Sequence, residues 1–316
     1  MDLFYNSLIQ VDFMINAIET NRLCKSMGKK EIVKSIDFTV PTGKIYGLVG
    51  KNGAGKTTLM KLICGIIMPT SGELKLFNSS NLNVERKEIG CLIEQPALYP
   101  NMTAAENLAA QGCLLRNFNK NEIPEVLEKV GLSFNEKKKV KSYSMGMKQR
   151  LGIALALLGK PRLLVLDEPM NGLDPIGIKQ MRKLICDLNN EYNMTIVLSS
   201  HIIDELAKMV HIYGIMKDGH LIKEIETDEL EEEMKGGMKI QVLQKDVEKT
   251  QCVLQQMNFF EYQYKEGYFI LNICKEKELN MLLKEFATHD ITIVQLVKNE
   301  YQIEDYVISF LEGSNK

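Results

Sequence analysis

One octapeptide constrains the fold of this chain more than any other stretch. Gly50-Lys51-Asn52-Gly53-Ala54-Gly55-Lys56-Thr57 fits G-x-x-x-x-G-K-[ST]. The pattern has mechanical meaning between a strand and a helix, and both neighbours supply that context. Ile45-Tyr46-Gly47-Leu48-Val49 is an apolar run of strand length, and Leu59-Met60-Lys61-Leu62-Ile63-Cys64 reads as a helix. Strand, glycine loop and helix form an anion cradle. The glycines let successive N–H groups turn inward, and the helix N-terminus adds partial positive charge. Lys56 is expected to reach the outer phosphates of a nucleoside triphosphate, and the Thr57 hydroxyl to hold Mg²⁺. A chance glycine-rich turn is the competing reading, and the later motifs argue against it.

The rest of the composition fits an ordinary globular enzyme. A chain of 316 residues has room for one large domain or two of usual size. A formal net charge of −2 gives no electrostatic reason to expect a nucleic-acid or anionic-membrane partner. The cysteines are odd in number, scattered and free of any C-x-x-C, which points to reduced thiols and against a disulfide frame or zinc site. No apolar run approaches the roughly 18 residues of a membrane span. The N-terminus lacks a basic leader region, so no signal peptide is expected. Regular patterning begins only after Met14. Met14 therefore reads as the translation start and residues 1–13 as a dispensable extension, with 1–14 set apart from the domains.

From 15 to 226 the pattern alternates strands and helices. Ile32–Val40 reads as a strand before the Pro41-Thr42-Gly43 turn, and Leu163–Leu166 and Thr195–Ser199 as further strands. Alternation of this kind predicts a largely parallel sheet covered by helices. Tyr213–Ile225, with its Lys217-Asp218-Gly219 turn, predicts an antiparallel hairpin. Residues of about 97 to 150 are polar and helix-rich, a helical insertion. Acidic residues from Thr227 to Met238 and then Gly236-Gly237 read as a linker. Residues 227–316 form an accessory domain in the order β-α-β-β-α-β, which predicts a small ferredoxin-like α+β module.

Two further stretches carry chemistry. Leu163-Leu164-Val165-Leu166 ends in Asp167-Glu168, an acid pair at the C-terminal end of a buried strand, where open α/β sheets bind ligands. Two carboxylates there need a cation or a proton beside them. Mg²⁺ at Asp167 meets that need and leaves Glu168 to polarise an attacking water. An exposed acidic turn is the plainer alternative. Tyr143-Ser144-Met145-Gly146-Met147 opens an apolar helix with Ser144 as its N-cap. Gly146 costs about 1 kcal/mol there relative to alanine. Close approach of something to the backbone explains it, and Ser144 with the following N–H groups then forms a second anion site.

Together these residues resemble the ATP-binding-cassette (ABC) family across about 15–226. The resemblance implies an α/β P-loop NTPase cassette with a helical insertion. It names Gly50–Thr57 as Walker A, Asp167-Glu168 as the end of Walker B, and Tyr143–Met147 as a variant of the L-S-G-G-Q signature. Asn171-Gly172-Leu173-Asp174 matches the D-loop, and His201 the switch histidine that contacts the γ-phosphate; Thr58 joins Lys56 and Thr57 around phosphate and metal. Two positions depart from the family. Met27 stands where an aromatic usually stacks on adenine, and a thioether packs without that stacking. The glutamine loop has Glu94 at the expected position and Gln95 one residue later, so either is a candidate to reach Mg²⁺ or the water.

Ile93–Tyr99, Thr103–Leu108 and Ser144–Arg150 are similar to the ATPase subunits of bacitracin and lantibiotic self-protection exporters. The resemblance implies ATP and Mg²⁺ as cofactors and a separate membrane permease as partner. It also implies a homodimer, or a heterodimer of cassettes, across the ATP sites. The expected location is cytoplasmic, peripheral at the inner face of the membrane. Peptide antibiotics as cargo are an analogy from the family. The alternative is a regulatory ABC-type ATPase with no permease. Such proteins generally carry two cassettes or a long coiled-coil insertion, and this chain has one Walker A.

Overall fold

The computed structural model describes residues 15–115, 118–233, 238–257, 262–265, 267–271, 273, 276–298 and 303–312. The expected extension at 1–14 and the Gly236-Gly237 linker lie outside them. The chain divides into two compact units, Met1–Glu226 with Phe310–Lys316, and Thr227–Ser309.

The first unit opens with β1 (Asn16–Met27), β2 (Lys30–Pro41), β3 (Ile45–Val49), α1 (Lys56–Ile63), β4 (Ser71–Leu76), α2 (Leu82–Glu85) and β5 (Ile89–Leu92). It continues through α3 (Ala104–Gly112), α4 (Ile123–Lys129), α5 (Met145–Leu157), β6 (Leu163–Leu166), α6 (Pro175–Tyr192), β7 (Thr195–Ser200) and α7 (Ile203–Leu206). The hairpin β8 (Ile212–Lys217) and β9 (His220–Glu226) closes it. Six strands form one sheet in the order β5-β6-β7-β3-β8-β9. All its pairs are parallel except β8 with β9. β3, β6 and β7 are buried at every residue, as strands covered on both faces must be.

The parallel-sheet expectation is incomplete. β1, β2 and β4 form a second, wholly antiparallel sheet in the order β2-β1-β4. Here the side chains alternate: Ile36, Phe38 and Val40 are buried and Asp37 and Thr39 are exposed. That face closes over Leu59, Leu62 and Ile63 of α1, joining the two sheets in one core. Between β5 and β6 the described residues hold helices and no strand. A capping box starts α3, Thr103 accepting from the Glu106 N–H and Glu106 from the Thr103 N–H.

The second unit contains α8 (Thr227–Glu233), β10 (Met238–Val242), α9 (Val247–Gln256), β11 (Tyr262–Lys265), β12 (Tyr268–Leu271), α10 (Glu276–Thr288) and β13 (Ile293–Lys298). α11 (Ile303–Glu312) ends the described chain. The strands pair antiparallel in the order β11-β12-β10-β13. Val253 and Leu254 of α9 and Leu282 and Phe286 of α10 pack with Ile240, Phe269 and Leu271 of the sheet. The acidic stretch expected as linker from Thr227 instead begins as a helix. Asp228 and Glu229 in the first turn suit the positive end of the helix dipole, and Leu230 is fully buried.

Candidate functional site

The glycine loop is fixed by what surrounds it. Gly50 leaves β3 beneath the β8–β9 hairpin, and a Cβ there would strike the Met216 carbonyl. Gly55 adopts φ 108°, which excludes ordinary side chains, with the Ile32 carbonyl 2.9 Å from any added Cβ. The Gly219 N–H donates to the Ala54 carbonyl at 3.0 Å, and the Lys34 N–H to the Gly219 carbonyl at 2.8 Å. Strand β2 and the hairpin thus hold the loop from one side, while Lys51, Asn52 and Gly53 remain exposed. α1 starts at Lys56 with no side-chain cap on its N–H groups. Such uncapped donors are suited to an anion.

Lys56 is buried, and its Nζ donates to the Gly50 carbonyl at 2.6 Å. Burial pulls its pKa down, opposed by the charges of Glu168 and Asp167. The Nζ sits 3.8 Å from Glu168 Oε1. Thr57 Oγ1 donates to Asp167 Oδ2 at 2.8 Å, and Thr58 is half-buried beside it on the same turn. Asp167 and Glu168 end β6, and His201 follows β7. Adjacent parallel strands β6, β7 and β3 therefore deliver acids, histidine and phosphate loop to one end of the sheet. Glu168 has φ 49°, a left-handed turn that takes its side chain out of the strand pattern. Its Oε2 lies 2.7 Å from His201 Nδ1. With Glu168 ionised, Nδ1 is the protonated ring nitrogen, and Nε2 is left for another partner.

Sequence reasoning missed Ser199 as the organiser of this group. Its buried Oγ donates to Asp167 Oδ1 at 2.7 Å and accepts the Glu168 N–H at 2.8 Å. The signal was a serine ending the apolar run Ile196-Val197-Leu198, but its partners sit on another strand.

Other predicted residues lie away from this cluster. Ser144 caps α5, its Oγ accepting the Met147 N–H at 3.3 Å. A Cβ on Gly146 would meet only Leu173 Cδ2 at 3.7 Å, so packing within the chain does not require glycine there. Met27 ends β1, 48% exposed, opposite Lys30 across the Gly28 turn. Glu94 and Gln95 diverge. The Glu94 carboxylate is 2.6 Å from Lys61 Nζ on the phosphate-loop helix, whereas Gln95 lines a groove with Pro96, Leu98, Val140 and Met145. A cavity of about 620 Å³ near Phe77, Lys129, Arg162 and Tyr192 contains none of the predicted residues. It adjoins the N-terminal ends of β6 and β7, opposite the acid pair.

The donor set Thr57 and Asp167 consists of hard oxygens already within hydrogen-bond distance of each other. Among the described residues no group of three His, Cys, Asp or Glu could hold a metal alone. Two oxygen donors, Thr57 and Asp167, leave the rest of a coordination shell to waters and nucleotide phosphates, a set that fits Mg²⁺.

The ABC transporter family profile matches residues 33–171. Over 95% of its length the chain is 40% identical to the bacitracin transport ATP-binding protein BcrA of Bacillus licheniformis, covering 99% of that protein. The chain belongs to the ABC transporter ATPases. This ABC ATPase is also 41% identical over 67% of its length to the lantibiotic transport ATP-binding protein SrtF of Streptococcus pyogenes, covering 91% of it. Its fold matches a dimeric post-hydrolysis state of the ATP-binding cassette MJ0796 bound to ADP and Pi. That match has TM-score 0.60 and 25% identity, and spans 66% of this chain and 98% of the other. The ABC ATPase binds and hydrolyses ATP, and its near full-length similarity to a transport subunit disfavours the permease-free alternative. Family members form dimers. No helix among its described residues is long and apolar enough to cross a membrane.

Proposed function

We propose that this subunit energises export of peptide antibiotics of the bacitracin or lantibiotic kind, working in the cytoplasm against the inner face of the membrane. The observation that carries the reading is near full-length similarity to a bacitracin transport subunit. Lys56, Thr57 and Thr58, with the N–H groups of Gly50–Gly55, hold the nucleotide phosphates. Thr57 and Asp167 would hold Mg²⁺, and Glu94 is favoured over Gln95 as the loop residue serving the site because its carboxylate pairs with Lys61 of α1. Mg²⁺ when bound neutralises phosphate charge. Glu168 orients and deprotonates the attacking water, His201 fixes the Glu168 carboxylate and contacts the γ-phosphate, and Ser199 sets the carboxylates in place. Ser144 and Gly146 of one cassette cover the nucleotide of another in a head-to-tail dimer, a reading supported by the lack of any packing need for glycine at 146, where a Cβ would make only an ordinary contact with Leu173.

The second unit reads as a ferredoxin-like accessory module, supported by its antiparallel β11-β12-β10-β13 order. A packing or dimer-stabilising role suits it, since the SrtF match spans most of that protein with only two-thirds of this chain.

The test is deletion of this gene from the strain that carries it. Loss of the gene should raise sensitivity to bacitracin or a lantibiotic, and unchanged sensitivity to both classes removes the cargo assignment. Leu98, half-exposed Tyr99 and Met102 lie just beyond Gln95 and form the proposed permease contact. Tyr99→Asp should abolish co-purification with the permease while nucleotide binding persists. Unchanged co-purification would move the contact elsewhere.

Base choice follows from Met27. Without a stacked ring, most affinity comes from phosphate, so ATP and GTP should compete within about tenfold, or about 1.4 kcal/mol. A hundredfold preference for ATP in direct binding would mean that another group grips the adenine.

A further inference from the structure

Two thiols meet behind the phosphate loop. Cys64 follows the last residue of α1 as its C-cap, and Cys91 lies in β5. Gly90 and Leu92 face α5: a Cβ on Gly90 would strike the Ala156 carbonyl, and Leu92 reaches towards Gly152. Ile89 and Ile93 face the other way, into the core that also takes Leu62, Ile63 and Cys64. Strand alternation puts Cys91 between them on that face. Arg86, just before β5, holds the carbonyls at the end of α1, so Cys91 lies beside Cys64 and the two thiols perturb each other. β5 is the edge strand of the sheet, and Cys91 is exposed while Cys64 is half-buried. The neighbouring Cys64 brings the Cys91 thiol down to about 7, while Cys91 and burial push Cys64 up. Beside Cys64 lies the Arg86 guanidinium, which donates to the Leu62 and Ile63 carbonyls at 3.1 and 3.3 Å. An exposed thiolate with a second thiol in contact is the arrangement of a redox-sensing pair.

We propose that Cys64 and Cys91 form a dithiol redox site, oxidised by hydroperoxides to a reversible disulfide that slows ATP turnover. The Cys91 thiolate attacks the peroxide O–O bond, giving a sulfenic acid and releasing alkoxide or hydroxide, which takes up a proton. Cys64 then attacks the sulfenic sulfur as its thiolate, a base taking its proton; the S–S bond forms and water leaves. Two electrons pass from the thiols to the peroxide, and a dithiol reductant reverses the change. The bond ties the end of the helix that carries Lys56 and Thr57 to the strand that runs into Glu94. It therefore restrains two segments that contribute to the site from opposite sides of Asp167.

The test is hydrogen peroxide titration of the reduced full-length protein, read by intact mass, peptide mapping and ATPase rate. The expected result is loss of two hydrogen atoms per chain, a Cys64–Cys91 linked peptide and a several-fold lower rate, all restored by dithiothreitol. Cys64→Ala should instead leave Cys91 as a sulfenic acid that dimedone traps, and Cys91→Ser should keep its mass and rate at the same dose. A disulfide joining other cysteines overturns the site, as does Cys91 staying reduced while other thiols oxidise. An unchanged ATPase rate in the fully linked protein overturns the control of turnover.

Discussion

Glu168→Gln is expected to bind ATP, to hydrolyse it at least about a hundredfold more slowly, and to accumulate as an ATP-bound dimer. The substitution preserves shape and removes the carboxylate base, and a positioned general base contributes about 10²–10⁴ in rate. The geometry supports a specific loss. Glu168 is held by its own N–H to Ser199, so the backbone turn survives the change. What goes is the ionised oxygen facing His201 at 2.7 Å and the charge 3.8 Å from Lys56. Adding Ser144→Arg should abolish the dimer, because a long cation at the start of α5 obstructs the surface proposed to cover the second nucleotide. Sedimentation with ATP and Mg²⁺, together with phosphate release, decides the matter. A Glu168→Gln protein that turns over at the wild-type rate, or stays monomeric with ATP, defeats the assignment of Glu168.

Lys56→Ala should weaken ATP binding by about ten- to hundredfold. Hydrogen bonds to charged groups contribute about 1.5–3 kcal/mol, and each 1.4 kcal/mol is about tenfold in affinity. Lys56 is already desolvated and aimed along the loop by the Gly50 carbonyl, so little reorganisation dilutes its contribution. Its loss also leaves Asp167 and Glu168 without the nearest cation, which should lower the melting temperature of the nucleotide-free protein. Calorimetric titration with ATP, alongside thermal unfolding, separates the two effects. Wild-type affinity in a folded Lys56→Ala protein would place the phosphates elsewhere.

Much of the first unit is legible in the chain because its signals are local. A glycine loop between an apolar strand and a helix, and two acids after four buried residues, each specify both a shape and a chemistry over a few positions. The antiparallel β2-β1-β4 sheet is harder to see, since β1 carries polar residues through its middle and is interrupted by irregular register near Leu23. The acidic stretch after Glu226 misleads for a different reason. Charge alone suggests a solvated linker, but charge at a helix start is also stabilising, and one buried leucine decides between them.

Local residue patterns were enough to give the phosphate loop, the acid pair, the helix cap at Ser144 and the family they compose, because each depends on neighbours within a few residues. The placing of β7 between β6 and β3, which brings Ser199 to both acids and His201 to Glu168, emerges from the folded core. The folded core also separates Glu94 from Gln95, one turned to Lys61 and the other to the groove beside α5. Strand order and the pairing of distant thiols depend on which surfaces bury one another, and that is a property of the closed core rather than of any window of residues.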